Sequence, residues 1–205
     1  MKCKSDLRRA VVGERNALAP AEIARRSARA ARHLFSLAEV EAARTIMFFV
    51  TFGSEVDTMP MIRRALSKGK RVLAPRADPA RRELTPCQVQ DLERDLTPGA
   101  HDIREPASHC PAVCLDEIGV VIVPASVWSE DGYRTGYGAG YYDRFLPHLP
   151  GAVRIGLGLE VQVVPEVPHE AHDLPVDILV TEAGIRRFRH RQGGRSDERG
   201  SHPAA

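Results

Sequence analysis

The 205-residue chain is short of three things that would point it toward a membrane, a nucleic acid or an oxidising compartment. It has no apolar run approaching the roughly 20 residues that a membrane span requires. Its charges nearly cancel, 29 Lys and Arg against 27 Asp and Glu, so no global field draws it to nucleic acid or to an anionic lipid surface. Its four cysteines, Cys3, Cys87, Cys110 and Cys114, form no even, closely spaced framework, and a reduced compartment is the simpler setting. The opening residues MKCKSDLRRAVVGER also lack the apolar centre of a secretion signal, so a cytoplasmic location is expected. The length suits one domain with a core that needs no staples, over residues 1–188. Residues 189–205 have no apolar face and read as a disordered basic tail.

What the chain does have is a dense stretch from Arg134 to Leu146, RTGYGAGYYDRFL. Glycines at 136, 138 and 140 remove side chains from a short loop and admit positive φ angles. Backbone N–H groups can then turn inward on an anion, which suits phosphate. A helix beginning after Gly140 would aim its N-terminus at the same place. Arg134 adds a cation at the entrance, and Asp143 supplies a hard oxygen ligand of the kind Mg²⁺ prefers. The stretch is not a P-loop, because no Lys-Ser/Thr pair follows, nor a dinucleotide fingerprint, because Tyr141 stands where the third glycine belongs. Spacing alone fits a tight turn equally well. The arginine, tyrosines and aspartate around the glycines are what a turn does not require.

The rest of the chain alternates helical and strand patterns. Leu7, Ala10, Val11, Ala17 and Leu18 recur at helical spacing over residues 4–18, with Arg8, Arg9 and Arg15 on the other side. A second helix opens with Pro20 and Glu22 and buries Ile23, Ser27, Ala30, Leu34 and Phe35. Its arginines, Arg25, Arg26, Arg29 and Arg32, have no aromatic residues among them and read as a solvated face. TIMFFVTF (45–52) and IGVVIV (118–123) are continuous apolar runs, as expected of strands covered on both faces. A helix capped by Thr58 and a strand at 71–75 complete a βαβ unit. Ligands of such sheets bind beyond the carboxyl ends of the strands, which places Glu55, Asp57 and Arg76 near one rim. Residues 78–114 are polar and Pro-rich, with a strand at 83–89, a loop around 99–106 and the metal-like segment HCPAVC (109–114), a weak signal for a closed zinc site. Strands are expected at 153–159 and 177–181. His172-Asp173 stands in a loop before the latter, placed to assist at the rim.

Taken together, the glycine cluster with GYYDR, Lys4-x-x-Leu7-Arg8, Glu55-Val56-Asp57-Thr58, VIVPA and the late His172-Asp173, Val176-Asp177 and Thr181-Glu182 resemble the 5-formyltetrahydrofolate cyclo-ligase family, in the family's order from residue 4 to 182. The resemblance implies a three-layer α/β/α domain with a mostly parallel central sheet, like the sugar-phosphate isomerases and CoA transferases. It implies closure of 5-formyltetrahydrofolate to 5,10-methenyltetrahydrofolate with ATP and Mg²⁺, by phosphorylation of the formyl oxygen. It places Lys4, Arg8 and the run Arg134, Thr135, Gly136, Tyr137, Gly138, Ala139, Gly140, Tyr141 and Tyr142 at ATP. Arg134, Tyr142 and Asp143 fall in catalytic positions, Val50 and Glu55 at folate, and Asp143 and Asp173 at the metal. Its partners are then small molecules, with neither nucleic acid nor membrane, in a monomer or homodimer. The sequence departs from the family pattern at His101, Ala125, Ser126, Trp128, Ser129 and Thr135, on the expected pterin side, which leaves open an altered-substrate or non-catalytic relative that binds nucleotide and a folate-like heterocycle.

Overall fold

A computed structural model of the chain describes residues 3–99, 103–170 and 173–188. The expectations for His101, for His172 and for the segment 189–205 lie outside the described residues. Helices α1 (Lys4–Asn16), α2 (Pro20–Leu34) and α3 (Ala38–Ala42) lead into strand β1 (Thr45–Met47), helix α4 (Met59–Ser67) and strands β2 (Arg71–Asp78) and β3 (Glu83–Val89). The short helix α5 (Leu92–Asp95) precedes a small ribbon of β4 (Leu96–Pro98) and β5 (Arg104–Pro106). Next come β6 (Val120–Val123), β7 (Val127–Ser129), β8 (Arg134–Thr135) and helix α6 (Tyr141–Phe145). Strands β9 (Val153–Leu157), β10 (Val163–Val164), β11 (Ile178–Val180) and β12 (Ile185–Arg187) close the described chain.

The main sheet runs β12-β11-β9-β6-β1-β2-β3. Its five inner strands are parallel, and β12 and β3 lie antiparallel at the two edges. Parallel strands need cover on both faces, and β6 shows how it is provided. Val120 and Ile122 join a core with Ala30 and Leu34 of α2 and Met61, Ile62 and Ala65 of α4. Val121 and Val123 face the other way, into a core with Trp128, Phe145, Leu146 and Leu149. The expected α/β/α order is therefore present. Its second outer layer is thin, with the five-residue α6 and a following 3-10 turn. Trp128 fills the space that a longer helix would take. The indole is fully buried over two glycines of the β9 segment: a Cβ on Gly156 would lie 2.6 Å from its Cη2, and one on Gly158 2.8 Å from its Nε1.

Several boundaries differ from the sequence reading. The apolar run at 45–52 pairs as a strand only over Thr45–Met47; Phe48, Phe49 and Val50 continue as buried loop. Thr58 does not cap α4. Its hydroxyl donates to the Phe49 carbonyl at 2.8 Å, and Asp57 Oδ1 takes the Met59 N–H at 3.0 Å instead. Part of the loop expected around 99–106 is strand β5. No helix of the described residues is long and apolar enough to cross a membrane.

Candidate active site

The carboxyl ends of β1 and β6 release the chain into the segments 48–58 and 124–142, as an open parallel sheet requires of its ligand rim. A second small sheet, β10-β7-β8, sits there, and its β7–β8 hairpin delivers Arg134 and Thr135 to the start of the glycine loop. Residues 136–140 are open to solvent or nearly so, not packed into the interior. Two of the three glycines use a left-handed backbone, Gly138 at φ +103° and Gly140 at φ +69°. A Cβ at Gly138 would meet Arg8 Nη1 at 3.6 Å, an ordinary contact, so the backbone angle rather than space calls for glycine there.

Helix α1 lies across this loop. At about 100° per residue, positions 4, 8 and 15 fall within roughly 40° of one another on one face. Lys4 Nζ donates to Asp173 Oδ2 at 3.2 Å, Arg8 lies beside Gly138, and Arg15 reaches Ser54 Oγ at 3.0 Å and Tyr137 Oη at 2.9 Å. The sequence reading placed Arg8 and Arg15 on the solvent side; in the structure Arg15 is 2% exposed, and Ala10 and Ala17 are the exposed residues. Leu7, Val11 and Leu18 do pack inward as the periodicity implied, but α1 also covers a polar site, which apolar periodicity does not register. The signal that would have found Arg15 is the cationic stripe itself.

Tyr137 ties the loop to the β1 segment. Its hydroxyl accepts from Arg15 and donates to Glu55 Oε1 at 2.9 Å, while the Phe52 N–H donates to Glu55 Oε2 at 3.1 Å. Glu55 is only 6% exposed, and burial pushes its carboxyl above the usual range against the opposing pull of the Phe52 N–H, Arg15 and Tyr137. Burial, reinforced by the Glu55 charge, pushes the Tyr137 phenol up to about 12. Val50, from the same segment, is buried in the core alongside Val56.

Arg134 was expected at the entrance, and the structure buries it, 9% exposed. It donates to the Leu174 carbonyl at 2.8 Å and to Asp143 Oδ1. Burial lowers its pKa, and the nearby charges of Asp143 and Asp173 oppose the drop. The two candidate metal carboxylates thus share a neighbour in Arg134, and each already holds a cation. Tyr142 puts its hydroxyl in a buried position near Glu55 and Arg134, and burial pushes its pKa well up. Tyr141 is half-buried and Ala139 exposed.

Among the described residues, six buried side-chain polar atoms have no hydrogen-bond partner: Arg8 Nε, Arg15 Nη1, Ser126 Oγ, Trp128 Nε1, Thr135 Oγ1 and Tyr142 Oη. All six come from α1 or from residues 126–142. A buried polar group without a partner costs about 1–3 kcal/mol, and native structures hold few. The atoms on Arg8, Arg15, Thr135 and Tyr142 lie around the glycine loop and fit a polar, oxygen-rich ligand.

The sequence matches the family model of the 5-formyltetrahydrofolate cyclo-ligase family over residues 1–182. The chain belongs to this family. The 5-formyltetrahydrofolate cyclo-ligase of Escherichia coli K12 is 29% identical over 174 residues, 83% of this chain and 96% of that protein. Its counterpart of the same name from Mycolicibacterium smegmatis is 31% identical over 193 residues, 92% of this chain and 98% of that one. The NMR structure of Aquifex aeolicus 5,10-methenyltetrahydrofolate synthetase superposes with a TM-score of 0.81 at 30% identity, covering 97% of this chain and 99% of that chain.

Within this cyclo-ligase framework, the departures from the family pattern that fall among the described residues can be placed by burial. Ala125, Ser126, Trp128, Ser129 and Thr135 are all buried, and the Trp128 ring packs against Gly156 and Gly158.

Proposed function

We propose that the chain uses ATP and Mg²⁺ to close 5-formyltetrahydrofolate to 5,10-methenyltetrahydrofolate, releasing ADP and phosphate. A formyl amide oxygen does not depart by itself. Transfer of the γ-phosphoryl group to that oxygen converts it into a leaving group, N10 attacks the activated carbon, and phosphate leaves as the ring closes. Phosphoryl transfer asks the protein mainly for positioning and for cations against the phosphate oxygens. Lys4, Arg8, Arg134 and the N–H groups of residues 135–140 serve that purpose in this reading, with Tyr141 and Tyr142 lining the site. Glu55 and Val50 face the folate side. Asp143 and Asp173 would hold Mg²⁺, which would supply positive charge against the phosphate oxygens. Asp143 now pairs with Arg134 and Asp173 with Lys4, and both cations would become available to phosphate if the carboxylates took up Mg²⁺.

The observation that carries the proposal is the set of unpartnered donors on Arg8, Arg15, Thr135 and Tyr142 around the glycine loop. Incubation with 5-formyltetrahydrofolate, ATP and Mg²⁺ should produce the methenyl chromophore, and omission of ATP should abolish it. A chromophore that forms equally without ATP, or never forms with it, refutes the assignment.

A further inference from the structure

We propose that Asp95, His109 and Cys110 form a binding site for a zinc-class divalent metal ion at the β3 edge of the molecule, away from α1 and the glycine loop. One ligand atom from each of the three residues lies within 4.8 Å of the others, the one such group among the described residues. His109 Nε2 stands 3.1 Å from Asp95 Oδ1. In tetrahedral coordination with bonds of about 2.0–2.3 Å, ligand atoms are separated by roughly 3.3–3.6 Å. The nitrogen–oxygen edge is already that short. His109 is 54% exposed, so a rotation of its ring closes the rest of the gap.

The surroundings are those of a supported site. Asp95 is fixed through Oδ2 by the N–H groups of Gln90 and Asp91, at 2.8 and 2.9 Å, which leaves Oδ1 to the metal. Such second partners orient a ligand and are part of a metal site's design. Cys110 is buried and its thiol points at the Asp95 carbonyl, 3.4 Å away. A cavity of about 200 Å³ adjoins the cluster, lined also by Gln88, Gln90 and Arg94, and gives room for a fourth ligand such as water. Arg94 now donates to Asp95 Oδ1, but its side chain is 65% exposed and can swing out as the metal enters.

The donor set selects the ion. A thiolate, an imidazole and a carboxylate suit Zn²⁺ or Co²⁺ over Mg²⁺ and Ca²⁺. Binding deprotonates the Cys110 thiol, so one proton is released to solvent, and thiolate plus carboxylate balance the two positive charges. Affinity therefore rises with pH. Of the HCPAVC segment, only His109 and Cys110 join the cluster; Cys114 is exposed and outside it, and the third ligand comes from Asp95.

The test is a Co²⁺ titration of the untagged, reduced full chain carrying Cys3→Ser and Cys114→Ser to silence the exposed thiols. An equimolar thiolate-to-cobalt charge-transfer band is expected, displaced by Zn²⁺, with a rise in melting temperature when Zn²⁺ is added. Adding Cys110→Ser or His109→Ala should remove both effects, while melting without metal verifies that each variant is folded. Cyclisation activity is measured in parallel and should persist, which keeps this site separate from the catalytic reading. No band in the parent chain, or a band that survives Cys110→Ser, overturns the proposal.

Discussion

Replacing Tyr137 with Phe tests how the site holds a buried carboxylate. The Tyr137 hydroxyl is one of three supports that oppose the burial-driven rise of the Glu55 pKa, with the Phe52 N–H and Arg15. Its removal drives that pKa higher. Hydrogen bonds to charged groups contribute about 1.5–3 kcal/mol. Tyr137 is 50% exposed, so water replaces part of the interaction and the low end applies. A carboxyl whose pKa is raised by folding keeps protons that the unfolded chain has lost. Stability then falls as pH climbs through the unfolded value and levels off above the folded one. Tyr137→Phe should therefore cost about 1.5 kcal/mol more in urea unfolding near pH 8 than near pH 4, where Glu55 carries its proton in the folded state. The lost bond to Arg15 contributes equally at both. The acid limb of kcat/KM, followed through the methenyl chromophore, should move to higher pH. Equal penalties at the two pH values together with an unmoved acid limb would refute the idea that this hydroxyl sustains an ionised Glu55.

Three further substitutions probe other parts of the molecule. Arg134→Ala should lower turnover by about 10²–10³-fold, the scale for losing one donor to transition-state charge; thermal melting should show a folded protein, and unchanged turnover would remove Arg134 from the site. Asp143→Asn should raise the Mg²⁺ concentration for half-maximal rate by about tenfold, some 1.4 kcal/mol of cation binding. A metal titration matching that of the unsubstituted protein would exclude Asp143 as a ligand. Gly156→Ala should destabilise the fold by about 1–3 kcal/mol, because its Cβ would press into the Trp128 ring. Chemical denaturation measures that loss, and none is expected if the ring can yield.

The sequence made legible what depends on local pattern. The runs at 45–52 and 118–123 pointed to inner parallel strands, and β1 and β6 are central in the sheet. The glycine loop stood out because three glycines beside Arg, Tyr and Asp have no purely structural reason to coincide. Contacts between distant segments were not legible. Tyr137 and Glu55 are 82 residues apart, and nothing in either segment names the other. Arg15 was misplaced because helical periodicity counts apolar residues and cannot say which polar residues face a site. The strand at 45–52 was drawn too long because buried loop and buried strand share one composition. The packing of Trp128 on Gly156 and Gly158 was likewise not legible, since the glycines lie well further along the chain, in and just after β9.

The burial of Trp128 also makes the protein its own optical reporter. It is the one tryptophan in the chain, so selective excitation of indole emission monitors a single location. That ring stands on β7, one hairpin from Arg134, with its N–H unbonded. The proposed nucleotide binding can therefore be tested by fluorescence without an added dye, and the same signal, red-shifted as the ring meets water, records the loss of the fold.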